Sequence, residues 1–355
     1  MKIRDIFSAK AFAAYFTTDP NLNMEYLGAG LFPAKKKLGL DLKWIKGHRG
    51  LSASLAPSNF DAKSTLRSRE GFKVENTEMP FFRESMIVKE ADEQEIMRVQ
   101  DTNDPYAEEI LGRIFDDVSA LTEGSMATTE RMRMQLLAPV NEGHPQIFFS
   151  HNGVTYAYNY DPDGSYAENN YEVLTGTDKW DDFDNADPIK DIEDARDAVL
   201  EKTGNRPTRI IMSKETLNKM KQCKKVQNAV LSRAVNPVVV FTDSIIKDAI
   251  KQYTDCDIIV YNKKVLDEEK RAVQLYPDGY ITLIPDGALG STWFGTTPEE
   301  RTLAGTPGAD VSIVATGVAV AVTTTNDPVN TKTTVSMIAL PSYERMDETY
   351  CIKVF

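Results

Sequence analysis

The chain has 355 residues, 41% hydrophobic and 26% charged, with 53 acidic against 41 basic side chains and a formal net charge of -12. That length allows roughly two or three domains, and the composition is that of a folded soluble chain. The acidic balance excludes a protein that coats duplex nucleic acid with clustered Lys and Arg and fits a surface that must not adhere to it.

The start, MKIRDIFSAKAFAAYF, predicts a short helix near residues 3–16. Asp5 and Lys10 break any apolar core, so it does not read as a signal peptide. No run of ~20 apolar residues elsewhere marks a membrane span. A turn-rich arm follows through Asp19-Pro20-Asn21 and Gly28-Ala29-Gly30.

Residues 35–85 are unusual. They open with Lys35, Lys36 and Lys37, continue with Lys43, Lys46, His48 and Arg49, and later carry Lys63, Arg67, Arg69 and Lys73. Strand-like pieces at 38–45 and 72–82 frame a polar middle. So long a stretch with so little core predicts an extended hairpin stabilised by a neighbour, because an isolated hairpin is marginal in water. The basic residues could contact phosphate, but in so acidic a chain they read as a charge-complementary contact with another copy.

A single long helix is predicted over 105–138. Asp104 serves as N-cap, Pro105 occupies the position that needs no N–H, and Glu108 and Glu109 face the positive end of the dipole. Apolar residues recur at helical spacing from Ile110, Leu111, Ile114, Phe115 and Val118 to Met132, Leu136 and Leu137. Arg131 and Arg133 suit the C-terminal end, Pro139 stops the run, and Gly124-Ser125 interrupts it, predicting a bend. At 1.5 Å per residue the helix is roughly 50 Å long, a spine along a flat molecule rather than part of an enzyme core.

A hairpin is predicted at 146–150 and 154–158 around His151-Asn152-Gly153, then an acidic linker, DKWDDFDNADP, ending at Pro188. The pattern then alternates. Helices are predicted at 189–202, at 214–223 capped by Ser213, and at 245–253 capped by Asp243 or Thr242; strands are predicted at 209–212, 257–261 and 280–284. Past Gly305 strands return at 311–322 and 333–340, joined through Asn326-Asp327-Pro328, with a last strand at 350–355.

Candidate chemistry is sparse. Asn159, Asp161 and Asp163 with Gly164 match the first half of a calcium loop, yet position twelve is Asn170 rather than Glu, and Pro162 suits a plain turn. Asp178, Asp181, Asp182, Asp184 and Asp187 could gather cations but read as a solvated linker. Cys223, Cys256 and Cys351 share no metal spacing and read as buried or idle thiols of a reducing compartment. His48, His144 and His151 sit in loop-like text, and no HExxH, P-loop, GxGxxG or nucleophile elbow appears. No catalytic residue, cofactor or metal is therefore assigned.

The ordered parts resemble a tailed-phage major capsid protein, closest to the lambda-type head protein (capsid protein E) family. The resemblance is carried by Arg67-Ser-Arg-Glu-Gly71, Asp104-Pro105-Tyr106, Trp180 with the acidic run to Pro188, Asp191-Ile192, the strand at 209–212 and Asn326-Asp327-Pro328. It implies an α+β chain with the Hong Kong phage capsid fold shared with encapsulins. Residues 1–34 would be the N-terminal arm, 35–85 the extended E-loop, 86–185 the P domain with the spine helix 105–138, 186–318 the A domain, and 319–355 a return to the P domain.

The implied function is self-assembly into the icosahedral head shell that encloses the phage genome. Two alternatives stand beside it: an encapsulin-type compartment shell and a two-domain cytoplasmic enzyme. The implied partners are further copies in pentamers and hexamers, a scaffolding protein, a portal protein, a decoration protein, and double-stranded DNA held without sequence specificity, with no membrane. Location would be the virion, with assembly in the host cytoplasm. Lys35, Lys36, Lys37, Lys43, Lys46, Arg49, Arg67 and Arg69 are the expected intersubunit contacts. Some relatives weld subunits through a Lys–Asn isopeptide bond; no such pair is expected here. A start directly at the arm, with Met1, points to a separate scaffolding protein rather than a trimmed one.

Overall fold

The computed structural model describes residues 8–18, 26–46, 73–88, 94, 106–151, 153–232, 240–303, 309–314, 316–326 and 329–355. The elements begin with helices α1 (Ala9–Thr18) and α2 (Leu27–Leu31), then strands β1 (Ala34–Lys36), β2 (Asp41–Lys46), β3 (Lys73–Glu78) and β4 (Phe81–Val88). The long helix α3 (Tyr106–Leu137) leads to the hairpin β5 (Gln146–His151) and β6 (Val154–Asn159), then α4 (Ser165–Asn169) and β7 (Tyr171–Val173). An alternating region follows: α5 (Pro188–Thr203), β8 (Arg209–Met212), α6 (Lys214–Gln222), α7 (Lys224–Leu231), α8 (Asp243–Thr254) and β9 (Asp257–Val260). The chain closes with β10 (Lys264–Leu266), β11 (Ala272–Gln274), β12 (Tyr280–Ile284), β13 (Ser291–Phe294), β14 (Ala309–Val314), β15 (Val318–Asn326), β16 (Val329–Ser342) and β17 (Tyr350–Lys353).

These elements form two compact units. The first takes Met1–Lys43, Asn76–Arg133 and Gly290–Ser342; the second takes Trp44–Glu75, Met134–Leu289 and Tyr343–Phe355. Among the described residues no helix is long and apolar enough to cross a membrane.

The first unit is built on β16. One edge of this strand pairs with β15, from Asn326↔Val329 to Val318↔Met337. Its other edge is shared, with β4 alongside residues 331–338 and β13 alongside 339–342. β14 extends the sheet beyond β15, and β1 pairs in parallel with β13. Val318, Val320 and Val322 alternate toward a core completed by Val335, Met337 and Ala339, onto which Ala9 and Phe12 of α1 pack. The expected single strand at 311–322 is two strands, because Gly317, with φ 82°, turns the chain so that Val314 faces Val318. Likewise 72–82 is broken at Met79-Pro80, where proline has no N–H to give a ladder. The first of the two hairpin strands starts at Asp41 rather than 38, after a bend at Gly39 with φ 88°.

Helix α3 runs without interruption through Gly124-Ser125. Hydroxyls there turn back onto the helix: Ser125 Oγ donates to the Thr122 carbonyl at 2.6 Å and Thr128 Oγ1 to that of Gly124 at 2.8 Å. Asp104 and Pro105, the expected start, and the side chains of Ile114 and Val118 lie outside the described residues. Arg133 does not serve the dipole as expected. It is buried, pairs with Glu130 at 3.2 Å, and donates from Nε to Thr292 Oγ1 at 2.9 Å. Glu130 Oε1 accepts from the Gly28 amide at 2.9 Å, and Thr292 Oγ1 donates to the Phe32 carbonyl at 2.9 Å. A Cβ at position 28 would collide with the Glu130 carboxylate, so α2 can approach only as glycine.

The second unit has a five-stranded sheet in the order β7-β17-β12-β8-β9. Ile281 and Leu283 of β12 point with Ile210, Met212, Ile258 and Ile352 into a core with Leu217 and Met220 of α6, Val226 of α7 and Ile246 and Ile250 of α8. Hydroxyls fill the opposite side of β12: Thr282 Oγ1 bonds Tyr276 Oη at 2.8 Å and donates to the Leu137 carbonyl at 2.6 Å. Ser213 caps α6, Thr242 caps α8 and Asp187 caps α5. The three cysteines are free and buried; burial pushes the Cys223 and Cys351 thiols up to about 12.

Glu130→Ala is expected to destabilise the protein by about 3–5 kcal/mol, because Arg133 then keeps its charge in a buried site without that carboxylate. Thermal and urea unfolding of the variant check this; a loss below about 1 kcal/mol would remove the pair from any structural role.

Candidate assembly surfaces

Strand β1 carries its three residues exposed on the rim of the first unit's sheet. Lys35 Nζ stands 5.3 Å over the Trp293 ring, Lys36 pairs with Glu300, and Lys37 Nζ donates to the Asp41 carbonyl at 2.7 Å. The three expected contact residues thus have partners within their own subunit. Solvent-exposed contacts of this kind are worth only about 0–1 kcal/mol, so exchanging them for other partners would cost little. Lys43 and Lys46 lie on β2. Their side chains, and all of Arg49, Arg67 and Arg69, lie outside the described residues.

The Asn159–Asp163 turn uses its oxygens internally. Asp161 is buried, and its carboxylate accepts from the Tyr166 amide at 2.9 Å, the Ala167 amide at 3.0 Å, Ser165 Oγ at 3.3 Å and His144 Nδ1 at 3.1 Å. Asn159 Oδ1 accepts from the Asp161 amide at 2.8 Å, and Asp163 Oδ1 from Ser165 Oγ at 3.0 Å. Gly164, with φ 71°, completes the turn into α4. The aspartate therefore orders a helix start, the work of a capping turn. Among the described residues no group of three or more His, Cys, Asp or Glu is placed to hold a metal ion.

The acidic run is not the solvated linker expected of it. Trp180 is fully buried and donates from Nε1 to Asp191 Oδ2 at 2.9 Å. Asp184 pairs with Lys224 at 2.8 Å, Asp187 with Lys225 at 3.0 Å, and the Phe183 carbonyl accepts from the Lys224 amide at 2.8 Å. The two ion pairs tie this run to α7, and the Trp180 anchor ties it to Asp191 of α5. Burial is the main reason the Asp191 carboxyl is pushed up to about 6, opposed by the Trp180 bond and reinforced by Asp187, Glu172 and Asp178.

Beyond α3 the hairpin β5–β6 is held by Gln135, whose side chain accepts from the Phe148 amide and donates to its carbonyl, both at 3.2 Å. Beside it lies a shallow recess of about 320 Å³ lined by Gln135, Ala138, Val140, Asn141, Gln146 and Phe148. Val140 and Phe148 are exposed there, as are Leu38 and Leu40 after β1. Sequence reasoning missed both apolar features, because exposure of single hydrophobic residues leaves no periodic signal.

Residues 8–354 match the model of a family described as Phage major capsid protein E. The chain belongs to that family. No curated protein matches it. Among solved structures it is similar to a phage-related protein from Bordetella bronchiseptica RB50, at 16% identity and a TM-score of 0.58, covering 98% of this chain and 97% of that one. A protein described as a prophage capsid protein of Escherichia coli CFT073 is similar at 14% identity and 0.58, covering 98% and 99%. The capsid of cyanophage A-1(L) is similar at 11% and 0.50, covering 95% and 98%. The mixed α and β fold is that of phage capsid proteins. This family member is a structural subunit of the phage head shell, a virion component and not an enzyme.

The raised Asp191 carboxyl gives the capsid protein a signed pH dependence. A carboxyl titrating near 6 in the fold, against 3.8 ordinarily, contributes stability that is full below about 4 and lost as pH rises through about 6. Asp191→Asn keeps an acceptor for Trp180 and removes the titration. Its melting temperature relative to wild type is expected to climb between pH 4 and pH 7; a difference that stays flat across that window would show the carboxylate to be unshifted.

Proposed function

We propose that copies of this subunit close into an icosahedral head of pentamers and hexamers around packaged double-stranded DNA. The match to the capsid family over residues 8–354 carries this reading. In it, residues 1–34 are the N-terminal arm, 35–85 the E-loop lying across a neighbour, 86–185 the P domain, 186–318 the A domain around the five-fold and six-fold axes, and 319–355 the return to the P domain. Lys35, Lys36, Lys37, Lys43, Lys46, Arg49, Arg67 and Arg69 meet acidic surface on the neighbouring copy. Residues 35–73 hold ten basic side chains against three acidic ones in a chain of net charge -12, a segregation that favours contact between copies.

Curvature must differ between pentamers and hexamers of one sequence, so a scaffolding protein guides it. A portal protein takes one vertex, a decoration protein binds outside, and assembly proceeds in the host cytoplasm. DNA is enclosed without sequence-specific contact, and an acidic chain limits adhesion to it.

Negative-stain microscopy with sedimentation, on the protein with and without its genomic neighbours across a salt series, tests the reading. With them, closed particles are expected; alone, capsomers, aberrant shells or tubes. Yield should fall with salt, since exposed charges are screened beyond ~10 Å at 0.1 M. A monomer or dimer under every condition overturns the proposal, and a salt-independent yield removes the charge pairs from it.

A further inference from the structure

The bend Leu38-Gly39-Leu40 is an exposed apolar projection held firmly in place. Leu38 is 82% exposed and Leu40 43%. On one side the Lys37 amide donates to the Phe294 carbonyl at 2.8 Å; on the other the Leu40 carbonyl accepts from the Met79 amide at 2.9 Å. Two leucines fixed in water at the end of a basic strand form a preorganised contact, because the ordering cost is already met by the subunit's own hydrogen bonds.

The recess beside the β5–β6 hairpin has the complementary character. Its apolar lining is Ala138, Val140 (62% exposed) and Phe148 (48%). Its polar side chains are engaged with each other or with backbone: Gln135 on Phe148, and Asn141 Nδ2 on Gln146 Oε1 at 3.2 Å. An aliphatic guest therefore breaks none of these bonds on entering. No basic residue lines the recess, and the residue that follows its lining Asn141 in the chain is the exposed Glu142, opposite in sign to Lys35–Lys37 beside the leucines.

We propose that the Leu38–Leu40 bend of one subunit seats in the Ala138/Val140/Phe148 recess of a second copy, a heterologous contact repeated around the shell. This rests on the shell-forming reading above. It assigns the docking site for the base of the basic segment and makes the contact apolar at its centre and charged at its edge.

Paired cysteines test it. Leu38→Cys with Val140→Cys, expressed with the genomic neighbours, should give a ladder of covalent multimers on mild oxidation of assembled particles. The ladder should be absent from either single variant and from Leu38→Cys with Leu266→Cys, another exposed position. A disulfide requires Cα atoms within about 7 Å, so the ladder reports this contact and not mere proximity in a shell. The native thiols are buried and give no background. Leu38→Asp, at so exposed a site, should fold with an unchanged melting temperature yet fail to enter particles. Particles carrying both cysteines without a ladder, or Leu38→Asp assembling at wild-type yield, overturn the contact while leaving the capsid reading intact. Absence of particles from the wild-type protein in the same preparation overturns that reading, and this contact with it.

Discussion

The buried polar knot around Glu130 and Arg133 fixes the first unit. Three separate pieces of chain converge on it: α2 with its C-cap, giving the amide of Gly28 and the carbonyl of Phe32; α3, giving the Glu130–Arg133 pair one turn apart; and β13, giving the hydroxyl of Thr292. Thr292 lies on β13, whose other neighbour is β1, so the same atoms that hold α3 also set where the basic strand emerges. A buried ion pair is weak evidence for net stability, since desolvation offsets much of its attraction. Its value here is directional. Apolar packing alone would let α3 slide along the sheet, whereas a carboxylate that must meet both an amide and a guanidinium accepts a single register.

A second ion pair, with only its carboxylate buried, repeats the device. Glu299 is buried, accepts from Ser336 Oγ at 2.7 Å and pairs with Arg83 of β4. Ser336 is on β16, the strand whose edge β4 shares with β13. Both knots therefore pin segments distant in sequence onto the central strands of one sheet, and both leave the outer rim to exposed lysines and leucines. The second unit is organised differently. It packs helices on a sheet through ordinary aliphatic contacts, with hydroxyls on the opposite side of β12 bonded to one another or to backbone.

Much of this was legible in the sequence where periodicity and capping carry the signal. The long helix, the β5–β6 hairpin, the Ser213 cap and the strand at 280–284 follow from spacing and local chemistry, and the family from their order along the chain. What failed to show depends on contacts far apart in sequence. Arg133 reads as a helix-end charge because nothing local says that Thr292, 159 residues away, receives it. The acidic run reads as a linker because its composition is polar, although one buried Trp180 and two lysines of α7 fold it down. The strand breaks at Gly317 and Pro80 were readable, and were missed only because the flanking residues favour strand on both sides. For the candidate surface, the basic residues were visible and the apolar recess was not, since a recess exists only once α3 and the hairpin are brought together.

Segregation of strong and weak contacts explains how one subunit serves in a shell. The interior knots of the first unit and the β12 hydroxyls of the second are hydrogen-bonded within the subunit, so it holds its shape without a neighbour at those places. Rim contacts are of the opposite kind: Lys36 with Glu300 and the lysine over Trp293 are exposed and exchangeable. In the proposed shell these groups re-pair across neighbouring copies, and each such contact would be weak alone, letting a misplaced subunit leave before the shell closes. Joined many times in one particle they act together, because every contact after the first forms at high effective concentration. A tight single interface would trap errors, whereas the proposed rim of exchangeable charges around a fixed apolar projection would select the correct neighbour and still permit correction.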